Sequence, residues 1–494
     1  MLRTSSIMGA ASLLNILFGL VRMKAAAVLL GPAGVGLFGL YQHLVATAST
    51  AAALGFGTVG TRQVAEANAK GNEDEVAAAR RALFWGSLGL AALGSSVFFL
   101  LRGPIARNIL ADPLHTTDVG WLAIGVALTV LAGSQTALLN GLRRVGDLAR
   151  IQVTSGIMAL VLGIGALLLW RQDGMVVLII VGPMTSFVMG HWYVSKLRPI
   201  STGPTPLRVL TGQLRMMALL GLAFMVSSLV TSLGNLAVRT LVQRELGLDA
   251  LGQFQAAWMI GMTYLSFVLG AMATDYYPRL TGCIHDKAAA CRLINEQTEI
   301  CLLLAGPVLI ALLALCPWVI QLLYSAEFTP AVAILRWQLL GDIFKLLSWP
   351  LGFALLAAGA GKTFVLTETT GIGVFVLGVA VGLPIFGLVA TGVAFLALYL
   401  AYLPLVYWFG YRRLGFFWTR EVKQQTVILI VGASIVAALG AWSDTAAAVL
   451  GMALALGFAA QSLARIGSMT EMQGRMGRVA AMCRRVIEKL GQAK

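Results

Sequence analysis

LLGPAGVGLF at residues 29–38 and ELGLDALGQF at residues 245–254 are one turn written twice. Sliding the chain against itself by 216 residues places Leu30 on Leu246, Gly31 on Gly247, Gly36 on Gly252 and Phe38 on Phe254. The match runs back to Ser12 and Ser228 and forward to Thr47 and Thr263. Leucine matches weigh little in so apolar a chain, so the glycines and the phenylalanine carry the repeat. A glycine set between two apolar runs reads as a helix end, a reversal and a new helix. The first copy joins the runs 4–28 and 34–60, the second the runs 214–238 and 251–273.

Outward from these turns the same pattern continues. Runs at 80–101, 117–139, 150–170 and 175–195 complete the first repeat, and runs at 296–323, 331–357, 364–381 and 389–409 complete the second. Two more follow at 425–442 and 446–463, giving fourteen in 494 residues. The chain is 58% hydrophobic and 12% charged, with a mean hydropathy of +0.84. Soluble domains carry about 25% charge, so too few charges remain to cover a soluble surface of this size. The fold class expected is all-α and polytopic, with about fourteen transmembrane helices. Six spans per repeat is an even number, so both repeats enter the membrane in the same sense. Such parallel repeats are related by an axis along the membrane normal and place a substrate site at their interface near the midplane. The domains read as an N-terminal six-helix bundle (1–213), a C-terminal six-helix bundle (214–409), two appended spans (410–464) and a basic tail (465–494).

The net charge of +15 is explained by placement. Arg80, Arg81, Arg143, Arg144, Arg412 and Arg413 fall on connectors of the N-terminal side, whereas the opposite side holds little more than Arg102, Arg107, Arg171 and Arg244. The positive-inside rule puts both termini in the cytoplasm and leaves no excess that calls for nucleic acid. In the tail, Met472, Met476, Val479, Cys483, Val486 and Leu490 follow helical spacing with Arg475, Arg478, Arg484, Arg485 and Lys489 between them, a pattern suited to a helix lying on an anionic leaflet or to a solvated basic tail. Five cysteines without CxxC spacing indicate neither a zinc site nor a disulfide frame. Arg3 and the apolar stretch after it resemble a signal peptide only faintly, because Arg22 and Lys24 interrupt the approach to a cleavage site; this stretch reads as a retained first span.

A charge inside a span costs about 2.5–3.5 kcal/mol on insertion scales and normally faces a cavity or a partner. Arg22 and Lys24 lie near the end of span 1, and Met23 aligns with Arg239 of span 7. Basic groups at matching depth in two bundles suit a diphosphate, which guanidinium forks grip bidentately; snorkelling to the interface is the other reading. Span 10 presents Gln338, Asp342, Lys345 and Trp349 on one face. Asp342 and Lys345 form either a self-neutralising pair that joins helices or a substrate and ion site. Arg336 lies off this face, near the outer surface, and reads as snorkelling. Thr47 and Thr263 match across the repeat, near His43, Thr50 and Ser266, and serve either sugar contact or close helix packing. Glu368 in span 11 aligns with Gln152, so one bundle has a charge where the other has an amide. Asp342 and Glu368 are the candidates for ion coupling, to protons or sodium.

Gly359-Ala360-Gly361-Lys362-Thr363 looks like the end of a phosphate-binding loop, but the position of its first glycine holds Leu356. No HExxH, GxSxG or clustered His and Cys pattern appears, so no catalytic residue, metal or cofactor is expected.

The first 70 or so residues, with Gly31-Pro32-Ala33-Gly34-Val35-Gly36 after a span that ends in basic residues and Gly57 to Ala67 with Arg62-Gln63-Val64-Ala65-Glu66, resemble the polysaccharide-transport family of oligosaccharide flippases, the Wzx-type O-antigen translocases of the multidrug/oligosaccharidyl-lipid/polysaccharide exporter superfamily. The resemblance implies two six-helix bundles that rock about a central cavity and carry an undecaprenyl-diphosphate-linked oligosaccharide from the cytoplasmic to the outer leaflet of the bacterial inner membrane. Polysaccharide polymerase and chain-length proteins are the implied partners. Family members mostly have twelve spans, whereas fourteen are read here, as in the related lipid II flippases.

The competing functions are a lipid II flippase, a multidrug/cation antiporter of the same superfamily, and a membrane polysaccharide polymerase or ligase. An antiporter favours acidic cavity residues, and Arg22, Lys24 and Arg239 argue against it. A polymerase needs a sizeable outer loop, and the longest here, 102–116, is short.

Overall fold

The computed structural model describes residues 2–71, 73–197 and 207–468. Among them no strand occurs, and the helices are α1 (Leu2–Ala52), α2 (Phe56–Ala69), α3 (Glu73–Leu100), α4 (Arg102–Asn108), α5 (Thr116–Gly141), α6 (Val145–Trp170), α7 (Gly174–Ser195), α8 (Leu207–Cys283), α9 (Lys287–Ala314), α10 (Cys316–Leu323), α11 (Ala331–Ala357), α12 (Gly361–Phe386), α13 (Ala390–Leu414), α14 (Arg420–Trp442) and α15 (Asp444–Ser468). The tail proposed from residue 465 onward lies outside the described residues beyond Ser468.

α1 and α8 are each two helices joined at one non-helical glycine: Gly31 (φ 66°, ψ −169°) and Gly247 (φ 84°, ψ 179°). Positive φ with extended ψ is open only to glycine without strain, and these are the glycines matched by the 216-residue repeat. Counting the arms of α1 and α8 separately, and leaving out the short α2, α4 and α10, fourteen long helices are present among the described residues. This is the number expected from the apolar runs.

By packing, the chain divides into two compact units: residues 1–255 with 323–327, and residues 256–322 with 328–494. The repeat pattern leads one to expect a division at 213/214, whereas packing carries the first arm of α8 into the first unit.

In the first unit the two arms at the repeat turns lie against each other with reciprocal contacts. A Cβ on Gly36 would stand 2.4 Å from the Leu248 carbonyl oxygen, and one on Gly252 would stand 1.9 Å from the Pro32 carbonyl oxygen. Pro32 and Leu248 are themselves matched by the 216 shift, so the contact is self-complementary about a local two-fold relation. Any side chain at 36 or 252 would meet backbone, which cannot move aside as a flexible side chain can. The connector 102–116 forms α4 and a 3-10 turn (Pro113–His115), and Gln243 Nε2 donates to its Leu110 carbonyl at 3.2 Å. Lys24 Nζ donates to the carbonyl of Tyr324, in the corresponding connector of the second repeat. Each repeat thus reaches across to the other's connector. Tyr41, fully buried, donates to Asp118 Oδ2 at 2.8 Å and lies 3.0 Å from His115 Nδ1, fixing the start of α5.

In the second unit α9 starts with Asp286, whose carboxylate accepts from the amides of Ala288 and Ala289 at 3.0 and 3.1 Å, an N-cap. Asn295 of α9 holds the approach to α14, donating to the Phe417 carbonyl at 3.0 Å and accepting from the Thr419 amide at 2.9 Å. α14 and α15 are fastened at both ends. At one end Arg336 of α11 donates to the Gly440 carbonyl at 2.6 Å and pairs with Asp444 at 2.7 Å. At the other Glu299 of α9 accepts from Gln425 at 3.3 Å and pairs with Arg465 at 3.0 Å. Arg336 was expected to snorkel; it is turned inward instead, because α14 and α15 offer it a carbonyl and a carboxylate.

Candidate functional site

Two groups of in-span polar residues stand out, one in each unit. In the first, the charge comes from α1 and α8. Arg22 is half-buried on the first arm of α1 and projects into a polar pocket of about 150 Å³ lined by Asn15, Ser155, Gly156, Gly182 and Ser186 from α1, α6 and α7. Its guanidinium lies 5.6 Å from the centroid of Phe38, and among the described residues it has no hydrogen bond or ion pair. A planar fork of five donors facing a small polar pocket, with an aromatic face on one side, is arranged to accept an anion. Gly182 borders the guanidinium closely: a Cβ there would be in ordinary van der Waals contact with Nη1, at 3.8 Å.

Arg239 is the counterpart by sequence, and its surroundings differ. It is fully buried within the first unit. Nε donates to Gln255 Oε1 at 3.2 Å, Nη1 donates to the Asn235 carbonyl at 3.0 Å, and the guanidinium lies 5.3 Å from the Phe254 ring. Phe38 and Phe254 are matched by the repeat, so each copy sets a guanidinium over the same ring. Such a contact contributes about 0.5–2 kcal/mol. Lys24 is half-buried and occupied by the Tyr324 carbonyl. Thr47 is buried and its hydroxyl has no partner. Thr263 donates to the Met259 carbonyl at 2.6 Å, one turn back along its own helix.

In the second unit, α11, α12, α13 and the last part of α8 enclose the other group. Asp342 is fully buried; its Oδ2 accepts from Tyr264 at 2.8 Å and its Oδ1 has no partner. Gln338, one turn away, is buried with neither amide atom bonded. Lys345 does not close the ion pair with Asp342 that the spacing allows. Its ammonium sits 3.4 Å from Met262 Sδ and 5.6–5.8 Å from the ring centroids of Trp349, Phe395 and Tyr399. The aromatic rings, contributed by α11 and α13, hold the cation away from the carboxylate, and Tyr264 from α8 takes its place. Glu368 is half-buried and accepts from Tyr402 at 2.7 Å. Each acid is therefore held by one tyrosine hydroxyl, and a single lysine is caged nearby. Tyr264 and Tyr402 were not anticipated from sequence, because a tyrosine in a span reads as packing unless its partner is known.

No group of three or more potential metal ligands occurs among the described residues.

With this geometry in place, the comparisons with known proteins decide the lineage. The model of a family described as polysaccharide biosynthesis protein matches residues 1–282. The chain belongs to that family. The polysaccharide biosynthesis match contains Arg22, Lys24, Thr47, Arg239 and Thr263, and ends before Asp342, Lys345 and Glu368. The lipid III flippase of Escherichia coli (strain K12) is 23% identical over 408 residues, which cover 80% of this chain and 94% of that protein. Among solved structures, the lipid II flippase MurJ in an inward closed conformation superposes with a TM-score of 0.67 at 13% identity, covering 93% of this chain and 99% of that one. An inward-facing MATE multidrug resistance transporter of the MOP superfamily also gives 0.67, at 15% identity, covering 83% and 96%. This member of the polysaccharide biosynthesis family is thus a multi-pass membrane protein with the fold of those transporters.

Proposed function

We propose that the protein is a flippase of the bacterial inner membrane that moves an undecaprenyl-diphosphate-linked oligosaccharide of the O-antigen class from the cytoplasmic to the outer leaflet by alternating access, without being an enzyme. The observation that carries the reading is Arg22, a half-buried guanidinium within a span that has no carboxylate partner and faces a polar pocket. A cation kept inside a membrane without a counter-ion is costly and is compensated when an anionic ligand arrives. The diphosphate of a lipid-linked sugar supplies that anion at membrane depth. The likeness to the lipid III flippase, over 94% of that protein, supports the same class of cargo. Arg239 of α8 and Lys24 of α1 are the further cations assigned to the cargo's diphosphate, and Thr47, whose hydroxyl has no partner among the described residues, is the sugar-facing candidate. Asp342 and Glu368 take the coupling ion, proton or sodium, with Lys345 beside them. Both termini are assigned to the cytoplasm, and a polymerase with its chain-length regulator receives the exported glycan.

Lipid II is the second reading for the cargo, favoured by the fourteen long helices and by the coverage of the lipid II flippase structure. Depletion of the protein in its host, followed by identification of the lipid-linked glycan that accumulates on the cytoplasmic face, separates the two. Accumulation of an O-antigen-type lipid supports the proposal; accumulation of lipid II replaces it with the second reading; accumulation of neither overturns both.

A further inference from the structure

A second basic cavity lies in the first unit, apart from the Arg22 pocket. It is a groove of about 470 Å³ between α3, α5 and α7, with Arg80, Arg81, Phe84 and Trp85 on one wall and Gln135 and His191 on the others. Among the described residues that line it, none is acidic. Arg80 is half-buried, makes one long hydrogen bond, 3.5 Å to the Val194 carbonyl near the end of α7, and is paired with no carboxylate among the described residues. The buried Gln135 Oε1 has no partner. Phe84 and Trp85 are exposed, at 52% and 57%.

Depth decides what such a groove can hold. The apolar run of α3 begins at residue 80, and α7 ends at Ser195, followed by Lys196 stacked on Trp192. The arginines therefore sit at headgroup level and the aromatic rings about one turn deeper, toward the hydrocarbon. Cations at the headgroup with apolar walls beneath complement one class of molecule, an anionic lipid with its phosphate against the guanidinium and its chain along the rings. The arginine-rich end of the protein is also where the positive-inside bias concentrates, so the groove opens on the leaflet that faces it.

We propose that this groove is a binding site for an anionic phospholipid, with the phosphodiester held by Arg80 and an acyl chain lying against Phe84 and Trp85. The ligand is a resident of the bilayer and not the transported lipid, whose diphosphate is assigned to the separate Arg22 pocket.

The test uses the full chain in nanodiscs and reads tryptophan fluorescence, with the Trp85 contribution taken as the difference between wild type and Trp85→Phe. Phosphatidylglycerol brominated on its acyl chains is expected to quench the Trp85 signal at least threefold more effectively than brominated phosphatidylcholine at equal mole fraction. Arg80→Gln is expected to abolish that preference and Arg80→Lys to retain part of it. Equal quenching of the Trp85 signal by the two lipids overturns the proposal, and this comparison needs only the conservative Trp85→Phe variant, so it stands even if the Arg80 variants fail to fold. A preference that survives Arg80→Gln overturns it as well. So does displacement of phosphatidylglycerol by near-stoichiometric undecaprenyl diphosphate, which would assign the groove to the cargo.

Discussion

Gly39 and Gln255 occupy matched places in the two repeats, and they touch: a Cβ on Gly39 would stand 2.6 Å from the amide carbon of Gln255. The missing side chain at 39 is the space in which Gln255 lies when its oxygen accepts from Arg239 at 3.2 Å. A residue of the first repeat thereby sets the partner of a buried cation in the second.

Gly39→Val is expected to push Gln255 off Arg239 and destabilise the protein by about 1–3 kcal/mol, the cost of depriving a buried donor of its acceptor. Gln255→Leu removes the same bond. Thermal unfolding of both single variants and the double should show the second substitution adding little to the first, as coupled neighbours do. Full additivity would mean that the two sites act separately.

Arg22→Ala is expected to leave insertion intact and thermal stability within about 2 kcal/mol of wild type, because among the described residues Arg22 makes no hydrogen bond and loses only its contact with Phe38. Affinity for a diphosphate-linked lipid should fall by roughly 10–100-fold, the equivalent of about 1.5–3 kcal/mol for a hydrogen bond to a charged group. Arg22→Lys keeps the charge without the fork and should fall between. Binding of a lipid-linked diphosphate to the detergent-purified variants measures this, and unchanged affinity in Arg22→Ala removes Arg22 from the cargo site.

Glu368→Gln retains the shape of the side chain and the bond from Tyr402 but cannot take up and release a cation. The reconstituted variant is expected to bind cargo as the wild type does and to lose its response to an imposed pH or sodium gradient. Only a difference in ion affinity between conformations can drive such a response. If both Glu368→Gln and Asp342→Asn respond like wild type, the driving force lies elsewhere.

Gly36→Val places a branched side chain against the Leu248 carbonyl and should force the two repeat turns apart. With the native cysteines replaced and Gln253→Cys as reporter, a membrane-impermeant thiol reagent is expected to label the Gly36→Val protein several-fold faster than the parent. Equal rates would show that the turns accommodate the side chain without separating.

The spans and the duplicated turn were legible because both follow from local rules: apolar runs of membrane length, and a glycine where φ must be positive. The presence of a basic group beside each turn was legible too, since the 216-residue shift sets Met23, next to Arg22 and Lys24, on Arg239. What each cation touches was not. Arg239 is buried against Gln255, whereas Arg22 faces a pocket built from Ser155 and Ser186, well over a hundred residues away. Asp342 and Lys345 have the spacing of a pair, yet Tyr264, 78 residues distant, intercepts the carboxylate. Arg336 has the position of a snorkelling residue, yet Asp444, 108 residues on, draws it inward. For Asp342 and Arg336 the partner comes from another span, beyond the reach of any local spacing rule.

Arg336 and Asp342 share α11, six residues apart, or about 9 Å along the axis. The fastening of α14 and α15 thus ends on the helix that bears a proposed coupling acid. A strut clamped at both ends has no free joint, so a tilt of α11 is transmitted to the two appended helices instead of being absorbed between them. A reporter dye on the exposed surface of α15 would therefore register movement that begins at Asp342, and α15 would serve as the pointer of a dial whose spindle lies deep in the second unit.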